Sequence, residues 1–119
     1  MLLGLPYRLG ATPDKHKAAD CVSLSREVLK NYGIKSPMPT RDWYRRMRKK
    51  DYEVFPDELK KWGTLTTTAK IGVVALCKAE KGYALAVYWE RGWLSFADKM
   101  VRWSPLKGLA VLELYCPMK

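Results

Sequence analysis

The chain has 119 residues, 48% of them hydrophobic, which is the length of one domain with enough apolar material for a core without disulfides. Its 22 Lys and Arg against 12 Asp and Glu leave a net charge of +10, which points to anionic partners such as nucleic acid, an acidic cell-wall polymer or an acidic protein face. No run of about 18 apolar residues exists, so no membrane span is expected, and three distant cysteines with one histidine exclude a disulfide framework and a multi-histidine zinc site.

The start, Met1-Leu2-Leu3-Gly4-Leu5-Pro6, lacks a basic stretch and reads as no signal peptide. Gly4-Leu5-Pro6-Tyr7-Arg8-Leu9-Gly10 follows, then a polar loop, Thr12 to Lys17, that holds the single histidine, His16. The first helix starts near Asp20. Cys21, Leu24, Val28, Leu29 and Tyr32 fall on one stripe, and Gly33 suits the position that ends it. Ser36-Pro37-Met38-Pro39 reads as an extended connector. A second helix has Thr40 as N-cap and Trp43, Tyr44 and Met47 as its apolar stripe. A short third helix runs from Pro56, placed at the first helical position, to about Trp62.

Strands follow at 71–77, 83–89, 93–96, 101–103 and 109–115, separated by Gly-containing turns such as Glu80-Lys81-Gly82 and Glu90-Arg91-Gly92. Helices first and strands second is the α+β order, here with an antiparallel meander that is curled or barrel-like. No linker divides residues 1–119, so a single domain is expected.

Cys21 carries the chemistry. A thiol at a helix N-terminus faces unpaired backbone N–H groups and the positive end of the dipole, and both favour the thiolate. Two readings stand: an activated nucleophile, or a small residue packed under the sheet. His16 is the one conventional base. It either folds back onto the thiol or is a solvated loop histidine.

The motifs Gly4-x-Pro6-Tyr7-x-x-Gly10, Asp20-Cys21 and Gly33-Ile34 resemble those of the NlpC/P60 cell-wall peptidases. In strand order, Ile71 to Leu76, Ala84 to Tyr88 and Trp93 to Phe96 are similar to that family's later elements. The resemblance implies a papain-like NlpC/P60 minimal fold, with N-terminal helices on a five- to six-stranded antiparallel, curled sheet. It places Cys21 as nucleophile or its remnant and Tyr7 beside it. The family histidine falls on Ala84, or on Tyr83 after a slip of one, and the third polar position on Ser95. Neither Ala84 nor Tyr83 takes a proton from a thiol near neutral pH.

More narrowly, the pattern is similar to short NlpC/P60-like proteins of bacteriophage tail and virion genes. That implies a degenerate, structural domain made in the host cytoplasm and built into an oligomeric particle. Other virion or tail subunits would be its partners. The alternatives are an active cysteine peptidase on peptidoglycan stem peptides and a basic nucleic-acid-binding module. For the last, Arg41, Arg45, Arg46, Arg48, Lys49 and Lys50 form a basic segment interleaved with Trp43 and Tyr44. The same six residues equally fit the solvated face of an amphipathic helix, or a face docked on an acidic neighbour. No metal or cofactor is expected.

Overall fold

A computed structural model describes residues 2–34 and 41–117, with the side chains of positions 41 and 42 outside that description. The expected connector at Ser36 to Pro39, the N-cap at Thr40 and the Arg41 side chain lie outside the described residues. Among the described residues the order is α1 (Pro13–His16), α2 (Cys21–Asn31), α3 (Arg41–Arg48), α4 (Val54–Trp62), then β1 (Gly63–Thr66), β2 (Val74–Ala79), β3 (Gly82–Trp89), β4 (Gly92–Ala97), β5 (Met100–Pro105) and β6 (Val111–Pro117). A 3-10 turn, Leu106–Gly108, separates the last two strands. The fold is α+β.

All the strand pairs are antiparallel, in one six-stranded sheet of order β1-β6-β2-β3-β4-β5. The sheet is open, so the barrel-like option in the strand reading does not hold. Three local details also differ from expectation. His16 ends a one-turn helix, α1, where a loop was expected. The strand β1 carried no clear signal, because Gly-Thr-Leu-Thr is short and lies directly against the end of α4. Pro56 occupies the third position of α4, since the helix starts at Val54. That is tolerated because a first-turn N–H has no intrahelical acceptor to lose.

The longest helix, α2, is fixed at both ends. Asp20 and Ser23 form a reciprocal capping box at its start. At its end the Gly33 N–H donates to Lys30 and the Ile34 N–H to Leu29, both at 2.9 Å, with Gly33 at φ 75°. This is the Schellman arrangement, which needs a left-handed residue and therefore favours glycine. Between the caps, Val22, Leu24, Val28 and Leu29 are buried against the sheet. Each such side chain contributes about 1.5–3 kcal/mol by leaving water.

Alternation along the strands divides the core. Val74, Leu76, Leu85, Val87, Leu94 and Tyr115 pack with the helices, together with Trp43 and Phe55, whose rings meet edge-on at 5.3 Å. Val73, Ala75, Cys77, Ala86 and Trp93 form a second cluster on the opposite side. The Trp93 indole donates to the Leu106 carbonyl at 3.3 Å, which ties the 3-10 turn to that cluster.

The N-terminal segment runs along the outer edge of β5. Gly4 donates to Val101, Val101 to Leu5 and Tyr7 to Lys99, at 2.8–2.9 Å. The same segment bonds toward α2, with Ala19 donating to Pro6 at 3.0 Å and Arg8 to Ala19 at 2.9 Å. Residues 4–8 thereby stitch the sheet edge to the strand-like entry of α2 and set Tyr7 near Cys21.

Candidate functional site

The Asp20–Cys21 step organises the site. Asp20 is fully buried. Its Oδ1 accepts from the N–H groups of Val22 at 3.0 Å and Ser23 at 2.9 Å, and from the Tyr44 hydroxyl at 3.1 Å. Its Oδ2 accepts from the Gly10 N–H at 2.8 Å. A buried carboxylate needs such donors, and charge-assisted bonds of this kind are the stronger ones. One side chain therefore caps α2, anchors the end of the Gly4 to Gly10 element and docks α3 through Tyr44.

Cys21 follows as the first residue of α2 and is 8% exposed. Its thiol is pushed up to about 12, first by burial and then by the Asp20 carboxylate. Backbone contacts from Leu85, Cys21 and Val22 act in the opposite direction and are outweighed. This corrects the expectation drawn from the helix N-terminus. The favourable backbone groups are present, but desolvation of the thiolate costs more than they return.

Cys21 opens onto a cavity of about 360 Å³. Tyr7, Ala84 and Ser95 line it as well, so the fold gathers one candidate nucleophile and three positions that the motif comparison singled out. The opening arises from how the sheet is paired. β3 and β4 share only the register pairs Val87–Leu94, Tyr88–Trp93 and Trp89–Gly92. Beyond them β4 continues on β5, with Ser95 opposite Arg102 and Phe96 opposite Val101, while Ala84 continues on β2 opposite Cys77. The cavity lies where the two hairpins part.

Tyr7 forms one wall, its ring edge-on to Phe96 at 5.1 Å. Its hydroxyl is pushed up to about 12 by burial first, then by its neighbours Cys21 and Asp20. Met47, Tyr52 and Phe55 contribute from the helical layer, and Lys78, Tyr83 and Leu85 from β2 and β3. The Ala84 side chain offers no proton acceptor, and among the described residues neither an imidazole nor a carboxylate lines the cavity.

His16 is elsewhere. It is exposed, and its Nδ1 accepts from the Thr12 N–H at 3.0 Å, so the ring closes α1 on itself. It is not among the residues that line the cavity. None of the described basic residues of the Arg41 to Lys50 segment lines the cavity. Arg45, Arg48, Lys49 and Lys50 are exposed. Arg46 is instead engaged, its Nε on Asp51 at 2.7 Å and its Nη2 on Asp57 at 2.9 Å, clamping α3 to the first turn of α4.

Tyr44, Tyr52 and Lys78 are site residues that sequence reasoning missed. The apolar stripe of α3 accounts for the ring of Tyr44, which packs on the core, but the hydroxyl partner is 24 residues away in sequence. Nothing in the local pattern marks Tyr52 or Lys78. Among the described residues no group of three or more His, Cys, Asp or Glu is placed to hold a metal ion, and no helix is long and apolar enough to cross a membrane. No family model matches the chain, and a comparison with curated proteins finds no significant match.

Proposed function

We propose that this chain is a papain-like NlpC/P60 domain that binds without hydrolysing, as a subunit of a phage tail or virion. The observation that carries the non-hydrolytic part is the wall around Cys21. A thiol held near 12 needs a neighbouring base to become a nucleophile at neutral pH, and the position that would supply one is Ala84. Tyr7 and Ser95 beside Cys21 support descent from a peptidase site, in which they act as cavity walls. The exposed basic end of α3, with Trp103 exposed at 43% on β5, supports a role in contacts with other subunits.

The test has two arms. Incubation with peptidoglycan should release no stem-peptide fragments, and Cys21→Ala should change nothing. Turnover that Cys21→Ala abolishes would sink the reading and restore the peptidase. Ala84→His is the constructive arm: an imidazole on the cavity wall should speed alkylation of Cys21 about tenfold or more, because a nearby cation favours the thiolate. Ala84→Gln, similar in bulk but without a titratable ring, should not. For the assembly part, the chain should co-purify with particles in fixed stoichiometry; a chain that stays monomeric and absent from particles refutes it. DNA binding through Arg45, Arg48, Lys49 and Lys50 is the second reading, favoured by their exposure, and requires an affinity that falls steeply with salt.

A further inference from the structure

Two surface turns beside the cavity are locked together. A Cβ built on Gly82 would lie 2.7 Å from the Tyr52 Cβ, so the turn between β2 and β3 packs directly on the connection between α3 and α4. Exposed Lys49 and Lys50 precede Tyr52 on the α3–α4 connection, while exposed Lys81 precedes Gly82 in the turn and exposed Lys78 lies near the end of β2. Lys78 and Tyr52 also line the cavity, so both β2 and the α3–α4 connection border it. The acids of the same turns are fewer. Asp51 is held by Arg46 at 2.7 Å, which leaves exposed Glu53 and Glu80. The two connections and the end of β2 therefore carry excess positive charge, with Lys78 at the cavity itself, while the interior presents Met47, Phe55, Leu85 and Phe96.

A volume of about 360 Å³ falls at the lower end of ligand cavities, roughly 300–1,000 Å³. An apolar interior beside a cationic surface fits a guest with an apolar body and negative flanks. A nucleotide meets the charge condition through its phosphate, but its base brings several polar edge atoms, and the cavity's polar side chains are few: Lys78, Ser95, Cys21 and the tyrosine hydroxyls. Buried polar atoms left unpaired oppose binding. A peptidoglycan stem peptide has acidic groups but no bulky apolar side chain to fill the space.

We propose that the cavity receives a bulky apolar side chain from an acidic segment of a partner protein, whose flanking carboxylates rest on Lys49, Lys50, Lys78 and Lys81. This rests on the reading of the domain as a non-hydrolytic binder. The apolar residue supplies the burial, and the lysines supply orientation and on-rate.

Fluorescence anisotropy on the full chain tests it with a labelled peptide that carries one Phe between pairs of Glu. Replacing that Phe by Ala should weaken binding at least tenfold. The exposed pair Lys78→Glu with Lys81→Glu should weaken it by a similar factor while leaving the melting temperature unchanged. An unchanged affinity for the Ala peptide would overturn the inference, because the cavity would then take no part. Equal competition by an oligothymidylate would overturn it too, marking a general polyanion surface. Cleavage of the peptide that disappears in Cys21→Ala would instead overturn the non-hydrolytic reading, which keeps the two failures apart.

Discussion

The state of the Cys21 thiol can be read directly by an alkylation challenge. At about pH 8, moving a thiol from 9.0 to about 12 lowers its thiolate fraction about a thousandfold. A more basic thiolate is intrinsically more nucleophilic, and a Brønsted coefficient near 0.45 returns about twentyfold over those three units. The net is about a fiftyfold slower reaction with iodoacetamide than for an ordinary exposed thiol, and burial at 8% exposure slows it further. Peptide-mapped mass spectrometry over a time course, with N-acetylcysteine in the same tube as reference, measures the ratio. Cys21 labelled as fast as the reference would refute the burial argument and reinstate the helix terminus as the dominant influence. Asp20→Asn separates the contributions further. It removes the charge that raises the thiol while retaining a capping oxygen, so Cys21 should label faster than in the native chain even though the fold is weakened.

Other consequences follow from the same contacts. Asp20→Ala should cost about 3–5 kcal/mol, since it removes a helix cap and leaves buried donors at Gly10, Val22, Ser23 and Tyr44 unpaired; denaturant unfolding measures it. From neutral pH, stability should be flat to about pH 8.5 and fall above it. The native thiols of Cys21 and Cys77 lie at about 12 and about 11, above their ordinary 9.0, so the unfolded chain loses those protons first. Each buried thiol then contributes a slope of about 1.4 kcal/mol per pH unit between its unfolded and native values, readable as denaturation midpoints across a pH series. Gly82→Ala should destabilise by about 1–3 kcal/mol, because a Cβ at φ 119° would also meet Tyr52; a melting temperature equal to the native one would show that the two turns do not pack. Arg46→Ala should lower the melting temperature modestly, with the loss shrinking in high salt, as expected for partly exposed ion pairs to Asp51 and Asp57.

Much of the architecture was legible in local pattern. The stripe of α2, its start at Asp20 and its end at Gly33 follow from spacing and end chemistry, which act within one or two turns of chain. The hairpins of β2 to β5 follow from apolar runs broken by glycine turns. The gathering of Tyr7, Cys21, Ala84 and Ser95 was foreshadowed only by comparing motifs, because no local rule links residues so far apart.

Tertiary structure alone decided the chemistry. Whether a thiol at a helix start is a thiolate depends on how far protein replaces the water around it, and here the thiol is buried with the Asp20 carboxylate beside it. His16 is in sequence the nearest base to Cys21, yet its ring turns back onto Thr12. Arg46 is in sequence one cation among six, yet two carboxylates from the next helix and its approach engage it. The sequence by itself determined which residues could form helices and strands and which groups could react. Their reactivity depended on desolvation and on partners far along the chain, and those exist only once the layers have packed.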